Sequence, residues 1–212
     1  MKIKRLIGGM LEANGYIVYE KAAQAGDMVP CYIIDPGYQH KKFIKYANDN
    51  NMYVKGIVLT HHHYDHSGAA EQIRKVLDCP VLIHREDADI LNFETDVHLE
   101  NGDILDFAPE GADFSTETQL KVVHTPGHTR GGICLMCEKD RVCFTGDTIF
   151  NVDLGRTDLE DGSAEQMRLT CRNIIDKWDN DITIYPGHGD PTTMKKVRQI
   201  NNEFLENINS ER

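Results

Sequence analysis

Between Thr60 and His66 the chain reads Thr-His-His-His-Tyr-Asp-His, and it does so directly after the apolar run Gly56-Ile57-Val58-Leu59. A continuous apolar run of that length reads as a strand covered on both faces. In an extended segment residues two apart point the same way, so His61 and His63 can converge on one centre. Asp65 and His66 lie one turn further on, where the chain enters a helix, and can face the opposite side. Neutral imidazole and carboxylate are good ligands for zinc, iron or manganese. A solvated turn does not account for four potential ligands in six residues, and a tag remnant is excluded because the cluster is internal and broken by Tyr64 and Asp65.

Three further stations share one logic. Thr125-Pro126-Gly127-His128-Thr129 follows a strand ending at His124, Gly146-Asp147-Thr148 follows an apolar run, and Pro186-Gly187-His188-Gly189 follows another. A glycine beside each candidate ligand permits unusual backbone angles and close approach to an ion. Functional residues gathered on loops at strand ends, held by a rigid sheet, are a common way to build a site.

The periodicities predict strands over 15–20, 28–35, 56–60, 81–83, 103–107, 120–124, 132–137, 141–145 and 181–185, and helices over 41–50, 67–77, 86–91, 163–178 and 192–207. This α/β mixture suggests layers of helix, sheet, sheet and helix. No Pro-rich or Gly/Ser linker divides it, so residues 1–212 are expected to form one domain. The hydrophobic share of 40% and charged share of 27% exclude disordered and fibrous classes. Lys and Arg number 23 against 34 Asp and Glu, a net charge of −11, which argues against nucleic acid or an anionic membrane as partner. No apolar run reaches the roughly 20 residues of a membrane helix. Met1–Glu12 offers no adequate apolar core for a secretory signal, so a cytoplasmic protein acting on a small molecule is expected. Oligomeric state is left open. The lone Cys134-Leu135-Met136-Cys137 lies in an apolar run, and its cysteines read as small hydrophobes on a buried strand.

The run T-H-x-H-x-D-H, followed in order by T-P-G-H-T, G-D-T and P-G-H-G, resembles the metallo-β-lactamase superfamily over about residues 16–188. The resemblance implies an αβ/βα sandwich with metals at one edge of two sheets. Carried over by position, it implies that His61, His63 and His128 hold a first metal, that Asp65, His66 and His188 hold a second, and that Asp147 bridges them. Two divalent ions, zinc with iron or manganese as alternatives, would then trap a bridging hydroxide, since metal binding lowers the pKa of water towards about 7. Asp65 is also the expected residue to orient that nucleophile or move its proton. Tyr64 and His62 are candidates for touching substrate, with packing or solvent exposure as the alternative.

Phe144-Thr145-Gly146-Asp147-Thr148-Ile149-Phe150 and then Gly155-Arg156-Thr157-Asp158 look like the glyoxalase II branch, whose members hydrolyse thioesters of glutathione, and like the related persulfide dioxygenases. Arg156 is accordingly a candidate for binding a substrate carboxylate or a thiol-bearing tail, with a salt bridge to Asp158 or Glu160 as the alternative. Two departures bear on the substrate. Only 24 residues follow His188, where full-length glyoxalase II has a helical domain that contacts glutathione, and the usual Gly-His-Glu-Tyr is Gly187-His188-Gly189-Asp190. The expectation is a thioester hydrolase. The alternatives are a mononuclear iron dioxygenase using His61, His128 and Asp147 as a facial triad, or a lactonase or other ester hydrolase. A non-catalytic module is disfavoured because all seven ligand positions are intact. His124, on the strand leading to His128, is a candidate for orienting a ligand, with a plain structural role as the alternative; His84 is expected to be a hydrogen-bonded structural residue, and His40 and His98 to lie on the surface.

Overall fold

Strand β3 (Val29–Ile34) shows how sequence alternation divides the molecule: Tyr32 and Ile34 face one hydrophobic core, and Cys31 and Ile33 face another. Successive side chains on a strand point to opposite faces, so a strand apolar on both must be covered twice. The computed structural model describes residues 1–20, 27–108 and 116–209. One six-stranded sheet has the order β1 (Lys2–Gly8), β2 (Ala13–Tyr19), β3, β4 (Met52–Val58), β5 (Val81–His84), β6 (Val97–Leu99). The other runs β12 (Thr192–Thr193), β11 (Thr183–Pro186), β10 (Val142–Gly146), β9 (Ile133–Cys137), β8 (Gln119–His124), β7 (Ile104–Asp106). Both are mixed: β3 to β6 pair in parallel, β10 and β11 likewise, and the remaining neighbours are antiparallel.

The sheets face each other across a core containing Tyr16, Tyr32, Ile34, Val58, Leu120, Leu135 and Phe144. Helices α1 (His40–Asp49), α2 (Tyr64–Ser67), α3 (Ala70–Leu77) and α4 (Arg85–Ala88) lie on the side of the first sheet, where Phe43, Ala47 and Ile73 pack on Ile17, Ile33 and Ile57. Helices α5 (Ala164–Asn173), α6 (Met194–Ile200) and α7 (Asn202–Asn209) cover the second, where Met167, Cys171, Val197 and Phe204 pack on Cys143 and Ile184. This is the expected order of helix, sheet, sheet and helix. No described helix is long and apolar enough to cross a membrane.

Several expected elements divide. The helix over 67–77 starts earlier, at Tyr64, and breaks before Ala70; the one over 86–91 is a single turn; the one over 163–178 ends at Asn173 and resumes as a 3-10 turn, Ile175–Lys177. The last expected helix splits at buried Asn201, whose side-chain amide donates to Phe150 O (3.2 Å) and Asp153 O (2.8 Å). A local break there lets one side chain pin a loop of the second sheet. Strands β1, β6 and β12 were not expected: β1 and β12 are edges, β6 has three residues, and exposure on both faces of β1 erases the alternation. Cys134 and Cys137, three apart on β9, face opposite cores, so the Cys-x-x-Cys run cannot close on itself.

At one edge the sheets are stitched together. Ile133 N donates to Thr60 O (2.9 Å), Asn14 N to Gly187 O (2.7 Å), and the Tyr16 hydroxyl to Pro186 O (2.6 Å). The four candidate segments emerge at this edge.

Candidate metal centre

The segment after β4, the β8–β9 loop and the turns after β10 and β11 bring all seven sequence-predicted ligands into one cluster. The nitrogens of His61, His63 and His128 lie within 4.8 Å of one another, and so do donor atoms of Asp65, His66 and His188. Asp147 lies between the groups, with Oδ2 3.6 Å from His128 Nε2 and 3.5 Å from His188 Nε2, and Oδ1 3.3 Å from His66 Nε2. Two glycines make the approach possible. A Cβ at Gly146, whose φ is +47°, would lie 2.3 Å from Thr60 Oγ1, and one at Gly187 would lie 2.1 Å from Asp147 Oδ1.

Hydrogen bonding around the rings assigns their tautomers. The Thr60 hydroxyl donates to Asp35 Oδ2 (2.6 Å), so its oxygen accepts from His61 Nδ1 (3.0 Å) and leaves His61 Nε2 with a free lone pair. His128 Nδ1 donates to Arg156 O (2.8 Å), His188 Nδ1 to Leu11 O (2.9 Å) and His66 Nδ1 to Asp35 Oδ2 (3.1 Å). Each therefore turns Nε2 towards the centre, while His63 presents Nδ1, 2.9 Å from His128 Nε2. Buried His61 Nε2 and Asp147 Oδ1 have no hydrogen-bond partner. Lone pairs converging in this way, two of them on orphaned buried atoms, fit divalent cations, and partners on the far ring nitrogen are the usual orienting device of metal-binding imidazoles.

The two groups differ in charge. Burial, reinforced by neighbouring imidazoles, pushes His61 well below the ordinary histidine range and His63 down to about 4. Burial would also lower His66 and His188, but carboxylates outweigh it, Asp147 foremost, raising them to about 9 and about 10. Conversely, burial would raise Asp147 and Asp65; His66 and His188 outweigh it and hold Asp147 at about 2 and Asp65 below the usual carboxylate range. The first group is thus all imidazole, and the second an imidazole–carboxylate cluster.

Sequence reasoning missed the residues behind the ligands. Asp35, at the end of the strand expected over 28–35, is buried with a left-handed φ of +46° and also accepts from Thr60 N (2.8 Å). Asp87, on α4, is fully buried: Oδ2 accepts from His62 N (3.0 Å), His62 Nδ1 (3.0 Å) and Thr129 Oγ1 (2.9 Å), and Oδ1 from Gly131 N (2.6 Å). The His62 ring is thus held against Asp87, with Asp161 Oδ2 3.5 Å from the same ring nitrogen. Tyr64 is 60% exposed, its ring edge-on to Tyr38 at 5.3 Å. His124 stacks on His84 at 4.1 Å and donates to Arg130 O, apart from the seven ligands.

A cavity of about 570 Å³ opens beside the cluster, lined by His128, Asp147 and His188 at its base and by Phe150, Val152 and Arg156 further out. Arg156 bonds Asp158 through Nε (2.8 Å) and Nη2 (2.9 Å), the alternative that its sequence neighbourhood suggested.

Comparison with known proteins agrees with this geometry. Residues 28–188 match the family model of the metallo-beta-lactamase superfamily. An uncharacterized protein of Mycobacterium leprae is 32% identical over 98% of this chain and 100% of its own length. The hydroxyacylglutathione hydrolase GloC of Haemophilus influenzae is 30% identical over 80% of this chain and 84% of its own. The crystal structure of BLEG-1 B3 metallo-beta-lactamase superposes with a TM-score of 0.80 at 24% identity, covering 94% of this chain and 98% of that one. With two helix-flanked sheets, a His/Asp cluster at their shared edge and these matches, the chain belongs to the metallo-beta-lactamase superfamily, whose fold binds divalent metals.

Proposed function

We propose that this chain is a dinuclear metal-dependent hydrolase that cleaves a thioester, the class to which S-acylglutathiones belong. The observation that carries it is the pair of donor groups joined by Asp147, with tautomers set so that free lone pairs converge beside an open cavity. His61, His63 and His128 would hold one ion and Asp65, His66 and His188 the other, with the Asp147 carboxylate between the two groups. Imidazole and carboxylate donors without thiolate suit zinc, with iron or manganese as substitutes. Such ions supply Lewis acidity and water activated towards a pKa of about 7. Asp65, whose carboxyl lies below the usual range and 3.2 Å from His188 Nε2, would orient a water for attack and receive its proton at a carboxylate oxygen. Water's oxygen adds to the acyl carbon, the C–S bond breaks, and a carboxylic acid and a thiol leave through the cavity past Phe150 and Val152. The thioester class is supported by the likeness to the hydroxyacylglutathione hydrolase of Haemophilus influenzae over most of both chains.

The protein is a single-domain cytoplasmic enzyme in this reading, which its buried free thiols suit, and its net charge of −11 disfavours nucleic acid and anionic membrane as partners. The test is metal analysis of untreated protein paired with a thioester panel that includes S-lactoylglutathione. Two divalent ions per chain with thiol release are expected. One iron per chain with oxygen uptake on a persulfide, or metal-replete protein without thioester turnover, overturns the reading.

A further inference from the structure

The outer walls of the cavity are acidic, and the cations there are already engaged. Asp153 and Asp190 line it beyond the ligands. A neighbouring cavity of about 450 Å³ shares Asp153, Gly155 and Arg156 and continues past Asp158, Glu203 and Glu206. Arg156 is the one guanidinium lining these cavities among the described residues, and Arg5, outside their linings, reaches Asp190. Arg156 is taken by both oxygens of Asp158, and Arg5 by Asp190 Oδ1 (3.0 Å) and Gly189 O (3.1 Å). Among the described residues, the five wall carboxylates beyond the ligands thus exceed these two guanidiniums by three charges. Asp153 registers that field: burial first, then the charges of Glu203 and Asp147, raise its carboxyl above the usual range. The same lining includes the apolar side chains of Phe150, edge-on to the His188 ring at 6.1 Å, and Val152.

We infer that the cavity selects thioesters whose thiol half is uncharged, and discriminates against carriers that bring carboxylates, glutathione included. The inference rests on the thioesterase reading above and names its substrate class. A glutathionyl group carries two carboxylates and one ammonium, and the carboxylates would enter walls that offer no unengaged cation among the described residues. Two like unit charges about 8 Å apart in water repel enough for roughly a twofold penalty, and three uncompensated ones compound to about tenfold. Such discrimination is screened by salt, whereas an apolar contact with Phe150 and Val152 is not. Asp158 is the residue that keeps Arg156 from serving a carboxylate. Its pair with Arg156 is exposed, so removing it costs little structure.

The experiment compares kcat/KM of the metal-loaded enzyme for S-lactoyl-N-acetylcysteamine and S-lactoylglutathione, which share an acyl group and differ in the charge of the thiol, at about 20 mM and about 500 mM salt. The neutral substrate is expected to lead by about tenfold at low salt, with the gap narrowing at high salt. In Asp158→Asn, which frees Arg156, and in Asp190→Asn, the ratio is expected to move several-fold towards the glutathione substrate. Equal or better use of S-lactoylglutathione at low salt overturns the inference while leaving the thioesterase reading standing. So does a ratio that neither salt nor the two variants alter. Turnover of neither substrate overturns the thioesterase reading, and the inference with it.

Discussion

Asp35 and Asp87 are both buried carboxylates behind the candidate centre, yet Asp35 acts on ligand rings and Asp87 on the backbone that carries them. Asp35 bonds His66 directly and His61 through the Thr60 hydroxyl, so one side chain sets tautomers in both donor groups. Asp87 bonds none of the seven candidate ligands. It gathers His62 and the Thr129–Gly131 turn, the neighbours of His61, His63 and His128, and so fixes where the all-imidazole group stands. Direction and position are thus supplied separately, and each can be removed alone.

The largest effect is expected from Asp35→Ala. It strands Thr60 N, the Thr60 hydroxyl and His66 Nδ1 without their acceptor in a buried place, which should destabilise the protein by about 3–5 kcal/mol. Because both donor groups lose a tautomer restraint, metal content should fall below one ion per chain. Chemical denaturation and elemental analysis check this, and full occupancy at wild-type stability would break the comparison. Asp147→Ala sharpens it by removing a proposed ligand and no brace. Metal should leave both groups while stability shifts far less, since the carboxylate that is lost sits among donors at the centre and holds no backbone.

Asp87→Ala should act on one group only. Unsatisfied donors at His62 and Gly131 cost roughly 3 kcal/mol, and the ion held by His61, His63 and His128 should be lost while the other persists, about one ion per chain. Loss of both ions in parallel would show that Asp87 does not act locally. The same residue sets an acid limit. Burial would raise its carboxyl, but the bonds from His62, Thr129 and Gly131 prevail and hold it below the usual range. A carboxyl depressed in the fold contributes stability that is complete above the unfolded-state value, about pH 4, and is lost as pH falls through the lower folded-state value. Asp87→Asn should therefore flatten the acid limb of stability below about pH 4 and leave the neutral limb parallel to wild type, as denaturation midpoints across pH would show.

The candidate ligands were legible because each needs a rare residue type at a strand end, and three of the four segments that carry them announce themselves with glycine. The sheets were legible where strands are apolar on both faces, as in β3, β4 and β9. The braces were not. A lone acid such as Asp87, inside Arg-Glu-Asp-Ala, looks like any solvated helix residue until tertiary packing buries it. Asp35 did leave a trace, an acid that ends an apolar strand, but Asp35-Pro36-Gly37 is read equally well as a turn. The salt bridge of Arg156 could be named beforehand because its partner lies two residues away, whereas Arg5 and Asp190, 185 residues apart, have no local signal.

The smallest effect concerns thiols, and it tells local loosening from sheet opening. Burial pushes the thiols of Cys31 and Cys171 up to about 12, so in the wild type neither should react with a disulfide reagent at pH 8, where thiolate is required. Cys31 sits on β3, the strand that leads into Asp35, and Cys171 on α5 across the molecule. If Asp35 anchors the end of β3 through Thr60, Asp35→Ala should raise the reaction rate of Cys31 and leave Cys171 protected, because β3 opens without the second sheet. In Asp87→Ala both should stay protected, since the bonds lost there belong to loops. Mass-resolved labelling of the two variants reads this directly. Equal labelling of Cys31 in both would mean that the two carboxylates brace one cooperative unit after all.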